Sequence, residues 1–219
     1  MKRLVIAIDG PSGAGKGTVA RALAQALDYR HVDTGAMYRA VGWKAQHDGV
    51  PLDDESAVAR VAGSAKLIVE GGVVEIDGHD VTKAIRTPEV DKIASTVARL
   101  PRVREALVAR QRSMGEPGGV VMEGRDIGSV VFPDADVKIY LDASAEERAR
   151  RRAHDAAHAG SQAGQTAVAE AIQARDLSDQ TRTASPLALA PGAVHIDTTD
   201  MPIESVVARV LAIVKGRLE

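Results

Sequence analysis

The sequence predicts an α/β protein in which a parallel sheet of about five buried strands is flanked by helices on both faces. Two observations predict this class. Short, continuous apolar runs are typical of strands that are buried on both faces of a sheet, and they alternate along the chain with stretches whose apolar residues recur at helical spacing. At 219 residues, the chain is long enough for one large domain or for one domain with an insertion.

The predicted elements follow one another in this order along the chain. The strands of the sheet are predicted at residues 4–8, 31–33, 119–122, 137–141 and 193–196. Helices are predicted over residues 18–27, 36–46, 53–62, 145–159, 166–182 and 203–218, and over 88–114 with Pro101 as a break or a first-turn residue. Residues 66–81 differ, because two short strands around a Gly-Gly turn predict a small antiparallel insertion. The Gly- and Ser-containing residues 160–164 are predicted to be mobile.

The composition excludes several classes of function. Cysteine is absent, which rules out disulfides, zinc-thiolate sites, iron-sulfur clusters and a cysteine nucleophile. Aromatic residues make up only 2% of the chain and the net charge is -2, so we expect no nucleic-acid partner. Asparagine is also absent, which removes the Asn-Lys-x-Asp motif that reads guanine and disfavours a GTPase.

The apolar runs and the absence of cysteine also indicate the cellular compartment in which the protein is expected. After Met1-Lys2-Arg3, the apolar run over residues 4–8 is too short for the core of a signal peptide. No stretch approaches the roughly 18 apolar residues that a membrane span requires. Since a cysteine-free chain also fits a reducing environment, we expect a cytoplasmic protein without a membrane partner.

A glycine-rich loop lies between the first predicted strand and the first predicted helix. Its residues are Gly10, Pro11, Ser12, Gly13, Ala14, Gly15, Lys16, Gly17 and Thr18. Glycines let backbone N–H groups converge on phosphate oxygens, and the lysine reaches the outer phosphates. This context predicts a P-loop that binds a nucleoside triphosphate. In the general pattern a hydroxyl residue directly follows the lysine, whereas here Gly17 intervenes, so direct metal coordination by Thr18 is not assured.

Charged residues after two other strands indicate where an acceptor would bind. Glu123 follows the strand at 119–122, at the edge where open α/β sheets bind ligands, and we expect it to order water around Mg²⁺. Arg39, one turn into the next helix after Asp33, can meet a second phosphate, although read alone it is equally consistent with a solvated helix residue. Arg125 and Asp126 can equally form a structural salt bridge with each other.

Taken together, these motifs resemble those of the bacterial cytidylate kinases, a family of nucleoside monophosphate kinases. The matching segments run in order over nearly the whole chain: 10–18, 33–39, 101–105, 123–126, 131–135 and 175–182. The resemblance implies a three-layer P-loop kinase fold with a five-stranded parallel sheet, and transfer of a phosphoryl group from ATP to CMP or dCMP with Mg²⁺, in a monomer. It also implies a core over residues 1–33, 84–145 and 185–219, a monophosphate-binding region over 34–83 that contains the antiparallel strands at 66–81, and a lid over 148–182.

The resemblance further implies roles for individual residues. Arg39, Arg125 and Arg182 would hold the acceptor phosphate, and Asp179 and Arg175 would face the ribose. The base would be read by Ser95, Arg104 and Asp126, with Thr34 nearby. Cytosine offers an amino donor beside ring-nitrogen and carbonyl acceptors, which a carboxylate and a guanidinium match, whereas uracil would set a carbonyl against the carboxylate. Two positions depart from the family pattern: Thr34 replaces the usual serine, and Ser178 stands where a charged residue is common.

A run of arginines precedes the predicted mobile segment. It comprises Arg148, Arg150, Arg151 and Arg152. Such runs are usually solvated helix faces, but beside a P-loop they are typical of a lid that brings cations to the transferring phosphoryl group and excludes water. Arg148 and Arg152, one helical turn apart, are the expected contacts, together with Lys16, Arg125 and Arg182, in catalysis.

Three alternatives remain at this point. His154 and His158 have the spacing of a zinc metalloprotease, but the glutamate of that motif is replaced by Asp155 and no third ligand is evident. A P-loop switch protein would explain the loop but not the acceptor-side arginines. A kinase for UMP, AMP or dephospho-coenzyme A would share most of these features.

Overall fold

Two sheets organise the computed structural model of this protein, which describes residues 3–154 and 165–217. The strands are β1 (Val5–Asp9), β2 (Arg30–Asp33), β3 (Leu67–Glu70), β4 (Val73–Ile76), β5 (His79–Asp80), β6 (Val120–Glu123), β7 (Val137–Asp142) and β8 (Val194–Asp197). The α-helices are α1 (Lys16–Leu27), α2 (Thr34–His47), α3 (Glu55–Ser64), α4 (Pro88–Val97), α5 (Pro101–Gly115), α6 (Ala145–His154), α7 (Gln165–Thr181) and α8 (Ile203–Lys215).

The larger sheet has five strands in the order β2-β6-β1-β7-β8, and every neighbouring pair is parallel. Strand β1 is central, and its residues Ile6, Ala7 and Ile8 are completely buried because both faces of the sheet are covered. The predicted α/β class with a five-stranded parallel sheet is therefore confirmed.

Two hydrophobic clusters cover the two faces of this sheet. One joins β1, β6 and β7 to the apolar sides of α1 and α8. The other joins the opposite face to α2, α4, α5 and the smaller sheet. Since the carboxyl ends of β1, β2 and β6 lie together at one edge, the loops that follow these strands meet there.

The smaller sheet corrects the prediction for residues 66–81. It has three antiparallel strands in the order β3-β4-β5, whereas the sequence analysis expected two. The additional strand was missed because β5 has only two residues, His79 and Asp80, and these show no apolar alternation. Asp77 and Gly78 both have positive φ angles, 48° and 80°, so they form the tight hairpin turn that joins β4 to β5.

Most other boundaries differ from the predicted ones by one or two residues. Pro101 is the first residue of α5, as one of the two predicted possibilities required. Helix α3 begins after Asp54, whose side chain accepts a 2.9 Å hydrogen bond from the backbone N–H of Ala57 and caps the helix. The end of the predicted helix at 145–159 and the predicted mobile segment at 160–164 lie outside the described residues. In the part of the chain that the structure describes, no helix is both long and apolar enough to cross a membrane.

Candidate active site

The loop between β1 and α1 has a backbone that only glycine permits at key positions. Gly10 and Gly13 have φ angles of 144° and 81°, which residues with side chains rarely adopt. Space is equally restrictive, since a Cβ at Gly10 would lie 1.9 Å from the carbonyl oxygen of Leu141 and one at Gly13 would lie 2.8 Å from that of Arg148. Helix α1 begins at Lys16 and leaves its first N–H groups unpaired within the helix. A loop of this shape presents backbone donors to an anion.

Lys16 is buried within this loop. Its Nζ donates a 2.6 Å hydrogen bond to the carbonyl oxygen of Pro11. Burial lowers the pKa of Lys16 well below its usual value, and the neighbouring Arg125 lowers it further, while Glu123 opposes the shift. A phosphate group beside Lys16 would supply the negative charge that favours the protonated amine.

A cleft of about 970 Å³ lies between this loop and a set of arginines from other elements. We call it the phosphate cleft. It is lined by residues 12–19 of the loop and α1, and its arginines include Arg39, Arg125, Arg152 and Arg175. Backbone N–H groups on one side and guanidinium groups on the other are the donors that bind phosphate most strongly.

Glu123 carries a carboxylate into the phosphate cleft from the end of β6. A Cβ on Gly17 would lie 3.2 Å from its Oε1, so a glycine at this position leaves the room that the carboxylate needs. The same oxygen lies 2.9 Å from Nε2 of His31. Thr18 also lines the cleft. A carboxylate and a hydroxyl are oxygen ligands of the type that Mg²⁺ prefers, so these residues fit the predicted ion.

Next to the phosphate cleft, five charged side chains form a buried cluster. Asp126 pairs with Arg104, and its Oδ1 lies 3.6 Å from Nη2 of Arg182. Asp179 pairs with Arg125 at 2.9 Å, which connects the cluster to the cleft. We call these five residues the acceptor cluster. Four of them are at most 6% exposed: Arg104, Asp126, Asp179 and Arg182.

Some donors in this part of the molecule are buried without a hydrogen-bond partner among the described residues. They include Nε of Arg104, Nε of Arg175 and Nη2 of Arg182. Buried donors are nearly always paired in folded proteins, because an unpaired one costs about 1–3 kcal/mol. Three such groups on neighbouring arginines point to a ligand that is rich in acceptor atoms.

Asp9 positions the segment that carries Asp126. A single turn of π-helix, Ile127–Val131, follows Asp126, and the sequence analysis did not predict it. Asp9 accepts hydrogen bonds from the backbone N–H groups of Ile127 and Gly128, at 2.8 and 2.7 Å. Burial raises the pKa of Asp9 to about 6 in spite of these two bonds.

The hydroxyl groups of Thr34 and Ser95 are both engaged with backbone carbonyls. Thr34 donates a 2.7 Å hydrogen bond to the carbonyl oxygen of Glu123, so it lies against the segment that carries Asp126. Ser95 donates a 3.1 Å hydrogen bond to the carbonyl oxygen of Asp91, one turn earlier in α4. Within the described residues, no hydrogen bond joins either hydroxyl to Asp126.

Asp91, which no pattern in the sequence singled out, contacts three of the cleft arginines. Its carboxylate accepts a 2.8 Å hydrogen bond from Nε of Arg39, pairs with Arg152 and lies 3.4 Å from Nη1 of Arg175. An acidic residue in the first turn of a helix is common, because it interacts favourably with the helix dipole. For that reason nothing in the local sequence distinguished Asp91.

Arg148 contacts the backbone of the phosphate-binding loop through its guanidinium group. It pairs with Asp176, and it donates hydrogen bonds to the carbonyl oxygens of Ser12 and Ala143 at 3.1 and 3.0 Å. Its guanidinium is therefore directed at the backbone of the loop, although the sequence analysis expected it to contact the transferring phosphoryl group as Arg152 would.

The other arginines of α6 have different partners. Arg150 and Arg151 each pair with Glu147 within α6, at 2.7 and 2.8 Å. Arg152 instead reaches across to α4 and is one of the arginines that line the phosphate cleft. The hydroxyl of Ser178, one of the two departures named in the sequence analysis, accepts a 3.2 Å hydrogen bond from Nη1 of Arg99.

Comparison with known proteins identifies the family. Residues 6–216 match the family model for cytidylate kinase. The chain belongs to the cytidylate kinase family. It is 52% identical over 220 residues to a cytidylate kinase of Pelotomaculum thermopropionicum, covering 98% of this chain and 97% of that one. It is 48% identical over 219 residues to a cytidylate kinase of Solibacter usitatus, covering 99% and 94%.

A solved structure outside the cytidylate kinase family supports the fold. Shikimate kinase from Acinetobacter baumannii, in complex with shikimate, superposes with a TM-score of 0.51 at 16% identity, covering all of this chain and 97% of that one. At this low identity the likeness shows the P-loop kinase fold alone.

Membership of the cytidylate kinase family makes this chain an enzyme of the kinase class with ATP as its phosphoryl donor. It thereby excludes the P-loop switch and the zinc metalloprotease. His154 lies in α6 with Nδ1 2.7 Å from the carbonyl oxygen of Arg150, and His158 lies outside the described residues. Over residues 3–154 and 165–217, no group of three or more histidine, aspartate or glutamate side chains is arranged to hold a metal ion.

Proposed function

We propose that this cytidylate kinase transfers the γ-phosphoryl group of ATP to CMP and dCMP, and that the acceptor cluster reads the cytosine base. The observation that carries this proposal is the buried pair of Asp126 and Arg104, which lies beside a cleft that combines a P-loop with several arginines. A carboxylate accepts from the exocyclic amine of cytosine, and a guanidinium donates to its ring nitrogen and carbonyl.

The loop residues Gly10 to Thr18 hold the donor in this proposal. Their backbone N–H groups bind the phosphates of ATP, and Lys16 neutralises charge on the outer ones. Thr18 and Glu123 would hold Mg²⁺ mostly through water, and the bound ion would neutralise charge on the donor phosphates. Such a site needs only one or two ligands from the protein.

The acceptor lies on the other side of the cleft. Arg39, Arg125 and Arg182 bind its phosphate in this proposal. Arg39 and Arg125 line the cleft, and Arg182 lies beside Asp126 in the acceptor cluster. Asp179 and Arg175 face the ribose. Ser95, Arg104 and Asp126 contact the base, and Thr34 supports them through its bond to the carbonyl of Glu123. The unpaired donors of Arg104, Arg175 and Arg182 support this placement, since a nucleotide monophosphate supplies many acceptor atoms.

Transfer needs alignment and charge neutralisation more than covalent catalysis. Arg152 would contact the transferring phosphoryl group, with Lys16, Arg125 and Arg182 around it, while Arg148 would act through the loop that it anchors. Residues 148–182 would work as a lid and residues 34–83 as the monophosphate-binding region. Closure of the lid would exclude water, which otherwise competes with CMP as the acceptor.

We propose that the enzyme acts as a monomer, in the cytoplasm and on free nucleotides rather than on nucleic acid. Gel filtration with light scattering tests the oligomeric state, and a mass of 23.0 kDa is the expected value.

The proposed reaction is tested by ADP release from ATP and Mg²⁺ with six acceptors offered separately: CMP, dCMP, UMP, AMP, GMP and dephospho-coenzyme A. We expect strong turnover with CMP and dCMP, weak turnover with UMP and none with the others. Strong turnover with any of the last three, or turnover without an acceptor at the same rate, would overturn the proposal.

A further inference from the structure

Asp91 connects three helices through their arginines. It lies in the first turn of α4, while Arg39 belongs to α2, Arg152 to α6 and Arg175 to α7. All four residues line the phosphate cleft. One carboxylate on the acceptor side of the molecule thus holds arginines from the monophosphate-binding region and from both described helices of the lid.

The charges around Asp91 explain why an anion is needed there. Burial lowers the pKa of Arg175 to about 10, and the nearby cations Arg125 and Arg39 contribute to this shift. These guanidinium groups therefore repel one another. Burial also opposes ionisation of Asp91, but its arginine partners outweigh that effect and hold the pKa of its carboxyl well below the usual range. The carboxyl group of Asp91 is therefore ionised, and its negative charge lies among several closely spaced guanidinium groups.

The contacts leave the arginines able to bind phosphate. A guanidinium has five N–H donors. Arg39 contacts Asp91 through Nε and Arg175 does so through Nη1, so each retains further donors for phosphate oxygens. The buried Nε of Arg175 has no hydrogen-bond partner among the described residues.

From these contacts we infer that Asp91 is a positioning residue, which aligns Arg39 for the acceptor phosphate and draws Arg152 and Arg175 of the lid to the same point. This inference rests on the proposed function. It assigns to Asp91 the coupling between the acceptor site and the lid. These arginines are close together before the phosphates bind, because each of them contacts Asp91. Their side chains therefore need less rearrangement to reach the transition state.

Removal of the negative charge of Asp91 should affect CMP binding and phosphoryl transfer differently. Asp91 both aligns the arginines and competes with phosphate for them, so its two effects on CMP binding oppose each other. In the transition state only alignment matters, because the transferring group has to meet Arg152 in the correct geometry. The loss of Asp91 should therefore appear in kcat more than in KM.

The experiment compares Asp91→Asn, Asp91→Glu and the wild type in steady-state kinetics with CMP and ATP. For Asp91→Asn we expect kcat to fall about ten- to a hundredfold, with KM for ATP and CMP changed by less than about threefold. Asp91→Glu should recover only part of kcat, because it restores the charge but displaces it by one methylene group. Glu89→Gln is the matched control: it removes an exposed carboxylate from the same helical turn and should behave like the wild type.

A merely structural role would give a different result. It would lower the melting temperature of Asp91→Asn and leave kcat per folded enzyme unchanged, which would overturn the inference. If Asp91→Asn does not fold, Asp91→Glu decides the question, since a displaced charge should lower kcat measurably in a protein that melts like the wild type.

A double-mutant cycle with Arg152→Gln tests the proposed route. If Asp91 acts through Arg152, the double variant should be little slower than the slower single variant. Independent, multiplicative losses would contradict this route. A wild type that does not phosphorylate CMP would refute the proposed function itself, whereas an active wild type with an equally active Asp91→Asn variant would refute only the inference about Asp91.

Discussion

Nε2 of His31 lies 2.9 Å from Oε1 of Glu123 in the phosphate cleft. The two residues belong to adjacent parallel strands, β2 and β6. Glu123 is paired with Asp33, and His31 lies two residues earlier on β2, so its side chain is on the same face of the sheet as that of Asp33. On the other side of the carboxylate, Gly17 leaves the space that a Cβ would restrict. Glu123 is therefore held between a histidine and the phosphate-binding loop.

Glu123→Gln should weaken the use of Mg²⁺. The amide keeps the size of the side chain but loses the charge that attracts the ion, so the Mg²⁺ concentration for half-maximal activity should rise about tenfold. Titration of activity with MgCl₂ at saturating ATP and CMP measures this. Glu105→Gln, which neutralises an exposed glutamate on α5, provides the control. An unchanged Mg²⁺ requirement in Glu123→Gln would show that Glu123 does not act on the metal.

The pKa of Asp9, which burial raises to about 6, should appear in the pH dependence of stability. A raised carboxyl pKa means that the folded state holds a proton that the unfolded state has released. The contribution of Asp9 to stability is therefore greatest at acidic pH and falls as the pH rises from about 4 to about 6.

The Asp9→Asn variant lacks this titration. Relative to the variant, the wild type should lose roughly 2–3 kcal/mol of unfolding free energy between pH 4 and pH 7. Urea unfolding of both proteins at several pH values measures the difference. A difference that is constant with pH would mean that Asp9 ionises normally in the folded state.

Arg148→Lys should destabilise the protein and weaken ATP binding. Lysine cannot reproduce the planar set of donors that contacts Asp176 and the carbonyls of Ser12 and Ala143. We expect a loss of about 2–3 kcal/mol in unfolding free energy and a higher KM for ATP, because Ser12 belongs to the loop.

The control for this prediction is Arg150→Lys. Arg150 belongs to the same helix, but its side chain is 58% exposed, so its replacement should change stability by less than about 0.5 kcal/mol. Equal effects of the two substitutions would show that the contacts of Arg148 to the loop contribute nothing measurable.

The features that were predicted correctly depend on residues close together in sequence. The glycine loop, its lysine and the strand before it are contiguous. The parallel sheet also followed from local patterns, because apolar runs such as residues 4–8 cannot be covered on both faces in any simpler arrangement.

The features that were missed depend on contacts between distant parts of the chain. Asp9 accepts hydrogen bonds from residues 118 and 119 positions later. Asp91 meets Arg39, Arg152 and Arg175 only because four helices converge at the cleft. Arg148 was predicted to have a functional role from its place in an arginine run, but its partners in the fold determine which role that is.

Asp126 and Arg104 recognise the cytosine base in the proposed function. The ratio of kcat/KM for CMP to kcat/KM for UMP tests this recognition most directly. The ratio should be measured for the wild type and for Asp126→Asn, with melting temperatures to confirm that both are folded. We predict a strong preference for CMP in the wild type and a ratio at least about tenfold lower in the variant, because an amide can donate to the carbonyl that uracil presents. An unchanged ratio, with equal losses for both acceptors, would contradict the claim.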